Sequence, residues 1–339
     1  MTSNPHLIAD LTVAVKPSVT LADVHAAAAR LAGVADRTPV LSCPALDEWV
    51  SAQVLLKCEN LQRTGSFKFR GAYNAISRLN IEQRSHGVIA FSSGNHALAV
   101  ATAARMLGST ALIVMPSDAP PAKLTAASEL GAHVRTFDRY TEDRFALTDR
   151  LAAEHGLTLI PPYDHVDVIA GAGSVTLELL NQAGPLDVLV MPLGGGGQLA
   201  GAGVVTTAIS PATRLIGVET ATGDKTRQSL RAGHRVRIPV PHTIADGVTG
   251  EIPGELTFAL NQHRVSDVVV VSDEEITTAM AWLFQEVKVV AEPSGVLAVA
   301  ALLAGRVDLP DQRVGAVVSG GNIDLHRFHA LLQSRLTRT

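Results

Sequence analysis

From residue 53 to the end of the chain, short runs of β-branched and aliphatic residues alternate with Ala-rich stretches that carry a helical pattern. Few architectures accept such alternation. A strand followed by a crossover helix returns parallel to itself, so the pattern predicts an α/β fold of mostly parallel sheets covered by helices. Strands are expected at 54–57, 88–91, 111–115, 133–137, 188–191, 215–219, 268–271 and 314–318. Helices are expected at 68–79, 96–107, 122–130, 142–154, 168–181, 199–209, 273–287 and 295–303. The strand runs are apolar on both faces, as a sheet covered on both sides requires. The clearest mid-chain punctuation is Pro161-Pro162-Tyr163-Asp164. Upstream, a helix should start at Thr20, with Asp23 as a capping-box partner, and stop before Gly33. Residues 1–18, with Pro5 and Pro17, read as a loosely held arm.

Composition removes several classes. Of 339 residues 47% are hydrophobic and 18% charged, which supports a sizeable core and about two domains. With 28 basic against 32 acidic residues and no long basic run, a nucleic-acid groove is not expected. The start lacks the basic and apolar pattern of a signal peptide. The uncharged stretch 188–213 is long enough to suggest a membrane span, but Pro192 and the glycines Gly194, Gly195, Gly196 and Gly197 argue against a continuous helix. Two cysteines, Cys43 and Cys58, make no disulfide framework, so a reducing, cytoplasmic setting is the expectation.

Four loops of glycine or small residues sit where a strand should hand over to a helix, the edge at which open α/β sheets bind ligands. In Thr64-Gly65-Ser66-Phe67-Lys68-Phe69-Arg70-Gly71, a lysine opens a helix between two phenylalanines. Apolar neighbours and a positive helix end both disfavour its ammonium form, and a neutral amine is a nucleophile able to form a Schiff base. The plainer reading is a surface lysine. Ser92-Ser93-Gly94-Asn95-His96 offers hydroxyls and main-chain N–H groups for a carboxylate, or an ordinary helix cap. The glycine run before Gln198 and Leu199 suits a phosphate, because four glycines in a core-like stretch cost backbone entropy that packing alone does not repay. Gly195, Gly197 and Ala200 also satisfy a dinucleotide fingerprint, with Glu219 24 residues after Gly195. Ser319-Gly320-Gly321-Asn322 is a second cradle or a tight turn. No histidine spacing suits a metal, and no G-x-S-x-G elbow is present.

Taken together, these loops closely resemble the fold-type-II pyridoxal-phosphate enzymes of the threonine/serine dehydratase and serine racemase group. The resemblance runs from about Asp23 to Leu325. It includes Lys57-Cys58-Glu59-Asn60-Leu61-Gln62, Ile244-Ala245-Asp246-Gly247 and Glu292-Pro293-Ser294-Gly295 as well. It implies a large cofactor-binding domain of residues 1–79 and 161–339, a small mobile domain of residues 80–160, and a homodimer. It implies that Lys68 holds pyridoxal 5'-phosphate and that Phe67 packs on its ring. Asn95 would bond the phenolic oxygen, Gly194, Gly195, Gly196, Gly197 and Leu199 the phosphate, and Ser319 the ring nitrogen. Gly247 and Glu292 would border the ring. Ser93, Gly94, Asn95 and His96 would seat the substrate, a small amino acid.

The activity implied is an ammonia-lyase on L-threonine or L-serine, with Lys68 and Ser93 as catalytic groups. The alternatives are a serine racemase, with Ser93 as second acid/base, or a dehydratase for another β-hydroxy amino acid such as 3-hydroxyaspartate. Arg144 roughly matches an arginine near the substrate side of serine racemases, or is a solvated helix arginine. An oxidoreductase using the dinucleotide fingerprint would leave Lys68, the Ser93 loop and Ser319 without a role. Metal-activated relatives carry Glu, a small residue four on, and Asp six on; here these read Glu219, Gly223 and Lys225, beside Asp224. An ammonium is expected to stand where they hold a metal. The end at Thr339 leaves no room for the regulatory domain of biosynthetic threonine dehydratases, so feedback control is not expected.

Overall fold

The computed structural model describes residues 19–92, 94–119, 121–138, 140–309 and 311–336, so the arm expected at 1–18 and Ser93 lie outside the described residues. The strands are β1 (Val40–Ser42), β2 (Gln53–Cys58), β3 (Val88–Phe91), β4 (Ala111–Pro116), β5 (His133–Phe137), β6 (Thr158–Leu159), β7 (Val188–Pro192), β8 (Arg214–Thr220), β9 (Asp267–Val271) and β10 (Arg313–Val318). They form a six-stranded sheet in the order β1-β2-β10-β7-β8-β9 and a four-stranded sheet in the order β5-β4-β3-β6. Every pairing is parallel except β1 with β2.

The helices that matter below are α1 (Leu21–Leu31), α2 (Pro44–Val50), α3 (Lys68–Ser77), α4 (Ile81–His86), α5 (Asn95–Met106), α6 (Pro121–Glu129) and α7 (Arg144–His155) in the first half. The second half adds α8 (Val166–Ala183), α9 (Gly197–Ile209), α10 (Lys225–Ala232), α11 (Glu255–Asn261), α12 (Asp273–Trp282), α13 (Leu297–Leu303) and α14 (Leu325–Leu336). Thr20 and Asp23 make the full capping box at the head of α1, as their spacing predicts. The uncharged stretch 188–213 divides into β7, a turn and α9, and among the described residues no helix is long and apolar enough to cross a membrane. The helix expected over 273–287 is α12 followed by a wider π turn, Leu283–Val287.

The strands are apolar because they are covered on both faces. One face of the large sheet packs on α12 and α13 through Val54, Leu56, Val190 and Val218, and the other packs on α8 and α9 through Leu189, Met191 and Val317. A third apolar core joins α3 and α5 to the small sheet through Phe69, Ile76, Val88 and Ile113. Helix α3 is thus held between the sheets. A side chain on Gly171 of α8 would collide with Arg70 and Gly71, and this contact presses α3 against α8 one turn after Lys68.

Beneath α3 lies a buried set of charges. Arg70 holds Glu59 with two bonds of 2.7 and 2.8 Å and reaches Glu178 at 3.2 Å, while Lys57 donates to Glu178 at 2.5 Å. Burial would raise the Glu178 carboxyl, but Arg70 and Lys57 outweigh it and hold the group below its ordinary range. The set ties β2, α3 and α8 together and fixes the helix that starts at Lys68.

Candidate active site

Because β2, β10 and β7 are adjacent and parallel, their C-terminal ends emerge side by side. The loops after them are stitched by main-chain bonds. Phe67 N donates to Ser319 O at 3.1 Å, and Gly321 N to Gly65 O at 2.9 Å. Ser319 N donates to Gly295 O at 3.1 Å, and Glu292 N to Gly320 O at 3.1 Å. Gly247 N reaches Ser294 Oγ at 2.8 Å. Lys68, Ser319, Glu292 and Gly247, far apart in sequence, are therefore one neighbourhood.

The loop from the small sheet closes on it. Asn95, the first residue of α5, donates to the Glu292 carboxylate and accepts from Asn322 Nδ2 at 2.8 Å, which also donates to Thr64 O at 2.8 Å. Burial is the main cause that lifts the Glu292 carboxyl to about 7. Gly94 N is bonded to Ser92 Oγ at 3.2 Å. At the rim, Lys123 on α6 meets Asp246 at 2.7 Å, and Arg327 on α14 reaches the same carboxylate at 3.3 Å.

Lys68 is the first residue of α3, as its motif predicts. Its amine is buried and donates to Pro162 O at 2.6 Å, 5.1 Å from the Phe67 ring centre. Burial alone brings it down to about 8. At that value a neutral fraction exists near physiological pH, and the amine can act as nucleophile or base.

The glycine run forms a turn into α9. Gly196 has φ of +91°, in the left-handed region that favours glycine. A Cβ on Gly195 would lie 2.1 Å from the Tyr163 ring, so no other residue fits there. The carbonyls of Gly195 and Gly196 accept from Thr257 Oγ1 at 2.7 Å and Asn261 Nδ2 at 3.2 Å, both on α11. Ala200 N makes the first bond of the helix, to Gly196 O, which leaves the N–H groups of Gly197, Gln198 and Leu199 without acceptors within it. Sequence reading missed Thr257 and Asn261. The one signal was Pro253-Gly254 before Glu255, a stop followed by a short helix.

Near the second loop, Arg144 opens α7 and its guanidinium lies 5.7 Å from the Phe91 ring centre and 4.8 Å from that of Phe145. At the end of β8, Glu219 and Lys225 are both fully buried and 3.1 Å apart, and Glu219 also accepts from Thr226 N and Arg227 N. Among the described residues no group of His, Cys, Asp and Glu is arranged to hold a metal ion. Cys43 and Cys58 are buried and free, and burial pushes the Cys58 thiol up to about 12.

A buried amine, a donor-rich glycine turn and converging strand ends suit a cofactor with both a carbonyl and a phosphate. The family model described as "Pyridoxal-phosphate dependent enzyme" matches residues 31–320. The chain belongs to the pyridoxal-phosphate-dependent enzymes, with the α/β architecture of fold type II. This pyridoxal-phosphate enzyme is 50% identical to an L-threo-3-hydroxyaspartate ammonia-lyase of Pseudomonas sp, over 92% of this chain and 98% of the relative. It is 47% identical to an L-threo-3-hydroxyaspartate ammonia-lyase of Saccharomyces cerevisiae, over 93% of this chain and 97% of that one. Among solved structures it resembles maize serine racemase, with a TM-score of 0.89, 37% identity and coverage of 94% and 98%. The residues present fit the cofactor. The Gly195 cradle excludes any Cβ, the first-turn N–H groups of α9 lack acceptors within the helix and suit a phosphate, and among the described residues Lys68 pairs with a neutral carbonyl and with no carboxylate.

Proposed function

We propose that this pyridoxal-phosphate enzyme is an ammonia-lyase for a β-hydroxy amino acid, with L-threo-3-hydroxyaspartate preferred over L-threonine and L-serine. The buried, carboxylate-free amine of Lys68 carries the lyase reading. The two hydroxyaspartate ammonia-lyases at 50% and 47% identity support the acidic substrate over the two neutral ones. Arg144 supports it from the structure, since it fixes a cation over Phe91, the residue that leads into the second loop.

In this reading Lys68 bonds the cofactor, and the free N–H groups from Gly197 to Leu199 hold its phosphate. Phe67 packs on the ring, Ser319 meets the ring nitrogen, and Gly247 and Glu292 border it. Asn95, positioned by Glu292 and Asn322, turns its remaining amide hydrogen to the phenolic oxygen. The substrate α-carboxylate sits on the N–H groups of Asn95 and His96 at the start of α5, next to Ser93 and Gly94. Arg144 pairs with the β-carboxylate. Lys68, freed when substrate binds, takes the α-proton at Nζ. When bound, the cofactor supplies an electron sink for the charge left on the α-carbon. Loss of the β-hydroxyl and hydrolysis of the released enamine give a 2-oxo acid and ammonia. Residues 80–160 act as a small domain whose closure excludes water, with Lys123–Asp246 as a link across the rim. The Lys225 ammonium fills the place beside Glu219, so no divalent cation is needed.

A second reading, serine racemase, draws on the likeness to the maize enzyme and on the serine at position 93. The test is to supply the holoenzyme with each of the three amino acids and analyse the products by chiral chromatography. Oxaloacetate and ammonia formed fastest, from 3-hydroxyaspartate, support the proposal. D-serine as the main product from L-serine would put the racemase reading first. Pyruvate or 2-oxobutanoate formed faster than oxaloacetate would return the preference to serine or threonine.

A further inference from the structure

Strand β6 leads into Ile160-Pro161-Pro162, and Ile160 N donates to Ile89 O at 2.9 Å. The two prolines have no N–H, so this segment presents carbonyls without donors of its own. Two basic groups hang from it, two residues apart. His96 Nε2 lies 2.8 Å from Ile160 O, and Lys68 Nζ donates to Pro162 O at 2.6 Å. A carbonyl can only accept, so Nε2 carries the hydrogen. Burial, followed by the charge of Lys68, brings the His96 imidazole down to about 3, so the ring is neutral. Its other nitrogen, Nδ1, then bears a lone pair, and it is buried without a hydrogen-bond partner. A buried unpaired acceptor is costly, which calls for a donor in the working state.

We infer that His96 is a positioning residue for Lys68: its tautomer is locked by Ile160 O, and its Nδ1 accepts from the Lys68 ammonium formed when that amine takes the substrate's α-proton. The inference rests on the proposed role of Lys68. In that step the α C–H bond breaks, an N–H bond forms at Nζ, and the electron pair stays with the substrate. The neutral amine has two hydrogens and the ammonium three, so the step creates a new donor. Pro162 O takes one hydrogen and His96 Nδ1 the next. The titratable groups that adjoin these residues are Tyr163, which follows Pro162 in the chain and packs on Gly195, and Glu292, which accepts from Asn95 next to His96. No carboxylate is among the causes acting on Lys68, so its acceptors are neutral ones. The same tautomer keeps the His96 ring from donating to the substrate carboxylate, which leaves its main-chain N–H for that task.

The holoenzyme carries the test, with two substitutions that separate the two ring nitrogens. His96→Asn puts an oxygen near the place of Nδ1 and drops the bond to Ile160. His96→Gln keeps a donor for Ile160 and drops the Nδ1 acceptor. The first readout is nitrogen NMR of labelled histidine, in which His96 should remain the Nε2–H tautomer throughout the neutral range. The second is the pH dependence of α-proton exchange into deuterated water with L-aspartate, which has no β-hydroxyl to lose. The rate should rise as Lys68 loses its proton. Removing an acceptor destabilises the ammonium, so His96→Gln should move the inflection down by about one pH unit while His96→Asn keeps the wild-type position. The Nδ1–H tautomer, or an inflection that His96→Gln leaves in place, would overturn the inference. So would rescue by His96→Gln and not by His96→Asn, which is the result of a purely structural bond to Ile160. Exchange that persists in Lys68→Ala would instead overturn the underlying role of Lys68.

Discussion

Lys57 and Lys68 stand 11 positions apart; Lys57 is fully buried, while Lys68, at the head of α3, is half-buried with its amine shielded from solvent. Lys57 meets Glu178 at 2.5 Å, Gln182 at 2.8 Å and Thr38 O at 2.8 Å. Burial lowers it, and Glu178 offsets part of the effect. Lys68 has one neutral carbonyl and an aromatic face. Burial without a counter-ion is what makes an amine reactive, and burial with one makes a structural cation. Lys225, fully buried beside Glu219, belongs with Lys57.

The contrast is broken most sharply at Lys68 itself. Lys68→Ala should lower ammonia release by about 1,000-fold or more, since general-base catalysis alone contributes about 10²–10⁴. Its folded state should survive, as judged by circular dichroism. Lys57→Ala should do the opposite. Leaving Glu178 with only Arg70 in a buried setting should cost about 3 kcal/mol of stability, measured by urea unfolding of the holoenzyme, with cofactor binding retained.

Lys225→Met should cost a similar or smaller amount, about 2–3 kcal/mol, because the Glu219 charge loses its partner but keeps two main-chain donors. In the same assay a chelator should leave wild-type activity unchanged, and a large loss would remove Lys225 from the role of built-in cation. Arg144→Leu should act on specificity and not on the fold. Losing one charged pair should raise KM for 3-hydroxyaspartate about 10–100-fold, with a smaller change for L-serine.

The pH dependence follows from the same contrast. Lys68 must be neutral to accept a proton, and its buried value is about 8. The rate at saturating substrate should therefore rise with pH up to that value. For stability the sign follows from the lowered value of the free amine. The amine is lowered in the folded state, so its contribution is unfavourable below about 8 and fades as pH rises towards 10.5.

The parallel strands and the four loops were legible because each carries its own local signal. Buried β-branched runs give the strands, and Gly or Ser after each gives the turn. Thr20 and Asp23 marked a helix start with two residues. Less legible were elements whose reason is tertiary. β1 is three residues long and joins the sheet by antiparallel pairing with β2. α11 has seven residues, and its value lies in Thr257 and Asn261 reaching back to Gly195 and Gly196 across more than 60 positions. The Pro161-Pro162 motif was visible, but the bonds that explain it come from His96 and Lys68, 64 and 94 positions away. The pairing of Lys225 with Glu219 was anticipated from the family resemblance, because metal-activated relatives carry an acidic residue at the position of Lys225.

The most direct test of the account is which lysine bonds the cofactor. The holoenzyme is reduced with borohydride, digested, and mapped by mass spectrometry. The account predicts one pyridoxyl-modified peptide, at Lys68, with Lys57 and Lys225 unmodified. Modification at either of those two, or cofactor binding with no covalent label at all, would contradict it.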